Sequence, residues 1–202
     1  MFAKLSIHRV SFVALAALLA AGTASAQPKS DLLSNVYAGA NLGLYNKYDL
    51  RCDNGVKCDK TASAGGKVYA GYMFDERYGV EAVGFGMKSG VGSIKNKDNS
   101  YSPGSVNLRG IGLTGVLAFG EGPFTFKGRL GAAYTKGKSY SAATGRSESK
   151  SSLQPLIGAG VSYAFSKEIS LNADWDRISG KYNGGNAKTN ADMLSVGVSY
   201  KF

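Results

Sequence analysis

The chain closes on Leu194 to Phe202, LSVGVSYKF, in which Leu194, Val196, Val198, Tyr200 and Phe202 fall at every second position, with Ser195, Gly197, Ser199 and Lys201 between them. A period of two is that of a β-strand, whose side chains point alternately to opposite faces. The pattern constrains this chain because it recurs, tract after tract, with one apolar phase and one small or polar phase. Glycine is abundant, at 28 residues, and proline is scarce, at 4, as in a series of strands separated by turns. No segment after residue 26 reaches the length of a transmembrane helix.

Strands are predicted over 35–45, 65–74, 78–88, 105–119, 124–136, 153–165, 169–177 and 192–202. Long polar connections lie near 46–64, 89–104, 137–152 and 178–191. The tight ones contain Asp75-Glu76-Arg77, Gly120-Glu121-Gly122-Pro123 and Ser166-Lys167-Glu168. This rhythm puts both chain ends on the side of the tight turns. An even-stranded antiparallel barrel with short periplasmic turns and long outer loops has the same rhythm.

The two phases decide what the barrel faces. In the fifth strand Phe126, Leu130, Ala132 and Tyr134 oppose Lys127, Arg129, Gly131 and Ala133. In the fourth, Ile111, Leu113, Leu117 and Phe119 oppose Gly110, Gly112, Thr114 and Ala118. In the sixth, Ile157, Val161, Tyr163 and Phe165 oppose Gly158, Gly160 and Ser162; in the seventh, Leu171 and Trp175 oppose Asn172, Asp174 and Asp176. A soluble, lipocalin-like barrel turns its large apolar residues inward. Here the other phase is rich in glycine, a poor soluble surface but a relief of crowding in a narrow lumen. Aromatic residues also mark the apolar phase beside the tight turns: Phe74, Tyr78, Phe119, Phe124, Phe165, Tyr200 and Phe202. These features predict an all-β fold, an eight-stranded antiparallel transmembrane β-barrel whose apolar phase meets lipid between aromatic girdles. In VEAVGFGMKSG, Phe85 and Met87 fall in the phase opposite to Val80 and Ala82. Either a bulge near Val83-Gly84 resets the phase, or Phe85 points inward as core filler.

Met1 to Ala26 reads as a signal peptide: Lys4, His8 and Arg9 make a basic start, Phe12 to Gly22 an apolar run, and Ala24-Ser25-Ala26 a small-residue cleavage site. The expected organisation is a signal over 1–26 and one barrel domain over 27–202. Loss of Lys4 and Arg9 takes the net charge from +10 to +8, and the only histidine, His8, leaves with the signal. Cys52 and Cys58, the only cysteines, are expected to form a local disulfide in an exported protein. Metal binding there would need further ligands that the chain after residue 26 does not supply.

Inside hydrocarbon every backbone N–H and C=O must find an internal partner, so the sheet must close. The last strand is therefore expected to pair with the first, NVYAGANLGLY. The tracts GGKVYAGYMFDERYGVEAVGFG, FKGRLGAAY, LIGAGVSYAFSKEISLNADWDR and LSVGVSYKF resemble the OmpA-like outer-membrane β-barrel family of Gram-negative bacteria over essentially all of residues 27–202. The resemblance implies an integral outer-membrane protein with a role in envelope integrity and limited permeability to small solutes. Terminal Tyr200 and Phe202 resemble the signal read by the barrel-assembly machinery, which becomes an expected partner. Family members of full length carry a peptidoglycan-binding domain after the barrel; this sequence stops at the barrel, so a cell-wall tether is not implied.

Lys67, Glu81, Lys127, Arg129, Asp174 and Asp176 fall on inward phases. A lone buried charge is costly, so these should pair. The expected network sets Glu81 and Asp174 against Lys127 and Arg129, with Lys67 joining Asp176. A gate that rearranges to pass solutes is one reading. A plug that satisfies interior polarity is favoured, because an eight-stranded barrel is only wide enough for side chains to fill it.

Outer-membrane enzymes of this size resemble one another in using a histidine, and none remains after residue 26. A Ser–Lys or paired-carboxylate site would be the remaining chemistry. Asp174 and Asp176 are the only close carboxylates on one strand face, and neighbouring cations explain them, so no enzyme and no cofactor are expected. GIGLTG, Gly110 to Gly115, matches the dinucleotide pattern by accident, since no helix follows it. The connections carry an excess of basic residues, among them Lys47, Arg51, Lys57, Lys60, Lys95, Lys97, Lys138, Arg146, Lys150, Lys181 and Lys188. For an exported chain, nucleic acid is not the expected partner; outer-membrane lipid and anionic lipopolysaccharide are. A surface adhesin binding host factors through these loops is the alternative. A closed barrel has no edge that demands a second copy.

Overall fold

The computed structural model describes residues 34–48, 61–62, 64–95, 101–141, 147–182 and 187–202. Signal segment 1–26, the Cys52–Cys58 pair and Arg51, Lys57, Lys60, Lys97 and Arg146 lie outside the described residues. Eight long strands follow one another: β1 (Val36–Tyr48), β2 (Ala64–Met73), β3 (Tyr78–Lys95), β4 (Tyr101–Phe119), β5 (Phe124–Ser141), β6 (Ser147–Ala164), β7 (Ile169–Tyr182) and β8 (Ala187–Lys201). A two-residue strand, Thr61–Ala62, pairs with the outer end of β1. Each strand is antiparallel to its neighbour, and β8 pairs back on β1 from Tyr37↔Lys201 upward, so the sheet is a closed barrel with no helix among the described residues.

The tight turns have local causes. Asp75 Oδ1 accepts from the N–H groups of Arg77 (2.7 Å) and Tyr78 (2.6 Å), folding the chain between β2 and β3. Ser166 Oγ accepts from Glu168 N (3.2 Å) and Ile169 N (3.0 Å) between β6 and β7. Gly122, at φ 63°, supplies the left-handed residue between β4 and β5. The chain terminus is held in the sheet, because Phe202 N donates to Val36 O at 3.0 Å.

Strands β3 to β6 outrun the sequence-based expectation. β3 continues to Lys95 rather than 88, β4 starts at Tyr101 rather than 105, β5 reaches Ser141 rather than 136 and β6 starts at Ser147 rather than 153. The physical reason is plain. Apolar alternation marks only the lipid-facing stretch, about 9–11 residues, whereas the hydrogen-bond ladder continues through Ser, Gly and Lys once the strands leave the membrane. At 18 or 19 residues each, these strands project well beyond it.

The apolar phase faces outward. Leu113 and Leu130 are 63% and 67% exposed, and Ile111, Leu153, Val196 and Val198 share their face. Near the tight turns, exposed aromatic rings pack in pairs: Tyr72–Phe74, Phe119–Phe126, Phe124–Tyr163 and Tyr200–Phe202, at 5.1–5.8 Å between centroids. Between Val83 and Phe85 the ladder with β4 runs without a shift, so Phe85 and Met87 point inward as filler and no bulge resets the phase. A bulge lies elsewhere, in β1, where Leu44 is the extra residue between Gly43↔Ser195 and Tyr45↔Leu194, and the β3–β4 ladder shifts register only higher up, between Val91 and Ile94. The β1 bulge leaves Leu44 and Tyr45 both exposed and turns Asn46 into the lumen.

Candidate functional site: a filled lumen in three tiers

The barrel interior is stacked in tiers, which follow from how far each inward residue lies from its tight-turn end. At the bottom, Ser162 Oγ donates to Asn172 Oδ1 (2.6 Å) and Asn172 Nδ2 donates to Ser199 Oγ (3.0 Å), tying β6, β7 and β8 together.

Above them lies a buried ion cluster. Lys67 on β2 donates to Asp176 Oδ2 and stands 3.0 Å from Asp174 Oδ2. Arg129 on β5 bridges the same two carboxylates, its Nη2 lying 3.0 Å from Asp174 Oδ1 and 3.1 Å from Asp176 Oδ1. Its Nη1 lies 3.9 Å from Glu81 on β3, and Glu81 also accepts a hydrogen bond of 2.9 Å from Tyr37 Oη on β1. Asn41 Nδ2 donates to Asp174 Oδ2 at 2.7 Å. Lys127 stands apart from the expected network: among the described residues it makes no ion pair within 4 Å, and its ammonium sits 4.8 Å from the Tyr37 ring centroid. The expected contacts of Arg129 with Glu81 and Asp174 and of Lys67 with Asp176 are present, Lys127 is the exception, and in addition Lys67 and Arg129 are each shared by both aspartates.

Glycine makes this packing feasible. Gly158 and Gly160 on β6 are the register partners of Asp176 and Asp174. A Cβ on Gly158 would meet Arg129 Nε at 2.9 Å, and one on Gly160 would meet the Asp174 carboxylate. The inward glycines of LIGAGVSY are thus the recess in which the carboxylates and the guanidinium lie.

The top tier is mainly apolar, with the buried polar Asn46 as the register partner of Met193. Phe85, Met87, Leu108, Leu156, Ile178 and Met193 belong to one buried cluster, with Leu108 and Met193 wholly inaccessible to solvent. Gly110 leaves room for the Phe85 ring, since a Cβ there would lie 2.8 Å from its tip. Ile178, Ser179 and Gly180 are buried in succession, so the strand alternation of β7 fails where it rises past the membrane. Sequence reasoning missed this tier, and it missed Tyr37 and Asn41 in the ion cluster. A signal for both was present: Tyr37 and Asn41 share the phase of Gly39 and Gly43, and Met87 and Ile178 continue the phases of Glu81 and Asp176.

The arrangement binds its own groups. Each carboxylate of the cluster faces a cation, and among the described residues no group of three or more His, Cys, Asp or Glu is placed to hold a metal ion. Tyr200 and Phe202 lie at the tight-turn end, their rings in edge contact at 5.1 Å.

A closed eight-stranded barrel with an apolar wall and aromatic rings at its tight-turn end has the form of an outer-membrane protein. The family model described as outer membrane protein beta-barrel domain matches residues 14–202. The chain belongs to this family. It is an OmpA-like barrel, integral to the outer membrane. Outer membrane protein A of Klebsiella pneumoniae is 27% identical over 186 residues, covering 82% of this chain and 50% of that protein. Outer membrane protein A of Escherichia coli O157:H7 is 28% identical, covering 94% and 54%. The chain thus spans about half the length of the curated relatives it matches. Among solved structures, Neisserial surface protein A aligns with a TM-score of 0.60 at 18% identity, over 84% of this chain and 98% of that one. OprG of Pseudomonas aeruginosa aligns with a TM-score of 0.55 at 19% identity, over 83% and 94%.

Proposed function

We propose that this barrel is a structural element of the outer membrane that supports envelope integrity with its lumen shut to steady solute flow. The observation that carries the reading is the stacking of an ion cluster beneath an apolar tier on the same strands. A solute entering from outside meets Phe85, Met87, Leu108, Ile178 and Met193 before it reaches any polar group of the cluster. Dewetting of such a constriction opposes ions and water alike. Limited permeability then requires rearrangement of both tiers at once. The same reading makes the protein no enzyme, since Asp174 and Asp176, its nearest approach to a carboxylate pair, each face Lys67 and Arg129. Reconstitution into planar bilayers tests it: the expected record is silent or shows brief, small openings, and large steady openings of the wild-type protein would overturn the plug.

A second reading, an adhesin acting through basic outer loops, draws on the 18- and 19-residue strands that raise those loops beyond the membrane. Attachment of cells carrying loop-swapped protein discriminates the two. Unchanged attachment removes the adhesin reading.

A further inference from the structure

On the outward wall, polar residues return at a common height. Arg109 lies ten residues above Phe119, Lys88 ten above Tyr78, Lys136 ten above Phe126 and Asp192 ten from Phe202. A strand tilted by about 40° climbs roughly 2.5 Å per residue, so ten residues cover about 25 Å, the height of the apolar band. These side chains therefore stand at the outer headgroup level. Two sectors of this ring differ. On β7 and β8, Arg177 reaches Asp192 through Nε (2.8 Å) and Nη2 (3.1 Å), and Lys47 is the register partner of Asp192 on its other side. On β4 and β5, Arg109 is the register partner of Lys136, and both side chains are exposed. Like charges directly opposite on a sheet repel. Lys138 follows on the same face of β5, and among the described residues the outward positions of β2 to β5 from Ala64 to Lys138 include no carboxylate. Among the described residues, Arg109, Lys136 and Lys138 make no ion pair.

One outward step below Arg109 and Lys136 lie Ile111 and Tyr134, and here the wall carries a shallow, open apolar recess of about 690 Å³. Its floor is made by the small outward residues Ala82, Gly84 and Ala132, with Ile111, Tyr134 and Leu153 as sides. Unpaired cations directly above an apolar hollow match an amphiphile with an anionic head. We propose that this face of β3 to β6 is a binding site for a phosphorylated acyl lipid of the outer leaflet, with phosphate between Arg109 and Lys136 and an acyl chain in the recess. The phosphate relieves the repulsion of the two cations through charge-assisted hydrogen bonds. The small residues let the chain lie against the backbone.

The test uses the full chain in zwitterionic detergent, titrated with diphosphorylated lipid A, with inorganic phosphate and with a phosphatidylcholine, and read by native mass spectrometry and thermal melting. Lipid A binds and raises the melting temperature, while inorganic phosphate and phosphatidylcholine do not. In R109Q/K136Q the lipid A affinity falls about 30-fold, from about 1 kcal/mol per basic residue at a membrane surface. R177Q/D192N, in the neutralised sector, binds as wild type, and A132F, which fills the recess, weakens lipid A binding. Folding of each variant is read from heat-modifiable gel migration; if the double variant does not fold, K136Q alone decides with an expected loss of about fivefold. Undiminished lipid A binding in R109Q/K136Q or A132F overturns the proposal. Binding of inorganic phosphate as tight as that of lipid A overturns it too.

Discussion

On β7 the inward phase runs Asn172, Asp174, Asp176 and then Ile178; on β3 it runs Glu81, Val83, Phe85 and Met87. Both strands change chemistry as they climb. In the lower half of the lumen, stability rests on a complete set of counter-charges whose partners come from four strands. In the upper half it rests on volume and close packing. The lower tier stitches opposite walls together and holds its ions in place; on the plug reading proposed above, the upper tier keeps water from reaching them. Ion pairs that are screened and weak at a surface become demanding in such a place, because each member depends on the others for solvation.

Removing one ion should therefore do more harm than removing one apolar side chain. Arg129→Met leaves Asp174 and Asp176 to share Lys67, and the expected loss is about 3–5 kcal/mol in urea unfolding from lipid vesicles. The same side chain one residue further on sharpens the contrast: Leu130→Arg puts a guanidinium on the lipid face and should cost about 2–4 kcal/mol in the same assay. Met87→Ala, in the upper tier, should cost about 2 kcal/mol, near the low end for a cavity because the flexible Met193 of the same buried cluster adapts its shape. Here the telling readout is conductance, where brief openings should become more frequent. The smallest effect belongs to the exposed counterpart of the buried cluster. Arg177→Gln breaks an ion pair whose arginine is half exposed, and the expected change is at most about 0.5 kcal/mol, vanishing in high salt. If Arg177→Gln cost as much as Arg129→Met, the distinction between buried and exposed ions in this barrel would fail.

The barrel was legible in the sequence because burial in lipid imposes a strict period of two, as at Leu194 to Phe202, and because a bilayer permits only closed sheets. The inward placement of Lys67, Glu81, Arg129, Asp174 and Asp176 followed from the same period. Their partners did not, since periodicity gives a face but neither the stagger between strands nor the reach of a side chain. Lys127 and Arg129 are successive members of one phase, yet one lies over the Tyr37 ring and the other between two carboxylates. The apolar tier was harder to read because Leu108, Ile178 and Met193 sit beside Arg109, Arg177 and Asp192, where the outward phase turns polar and the alternation fades. Strand ends beyond the membrane were illegible for the same reason: Ser, Gly and Lys can extend a ladder without any pattern in their polarity.

The whole account depends on bulky apolar side chains facing lipid. Trp175, the only tryptophan in the chain, lies on that outward phase, six residues above the start of β7. Its fluorescence in vesicles of acyl-chain-brominated phospholipid tests the claim without any substitution. The account predicts strong quenching by bromine within the bilayer and none by aqueous iodide. Quenching by iodide with indifference to the brominated lipid would contradict it.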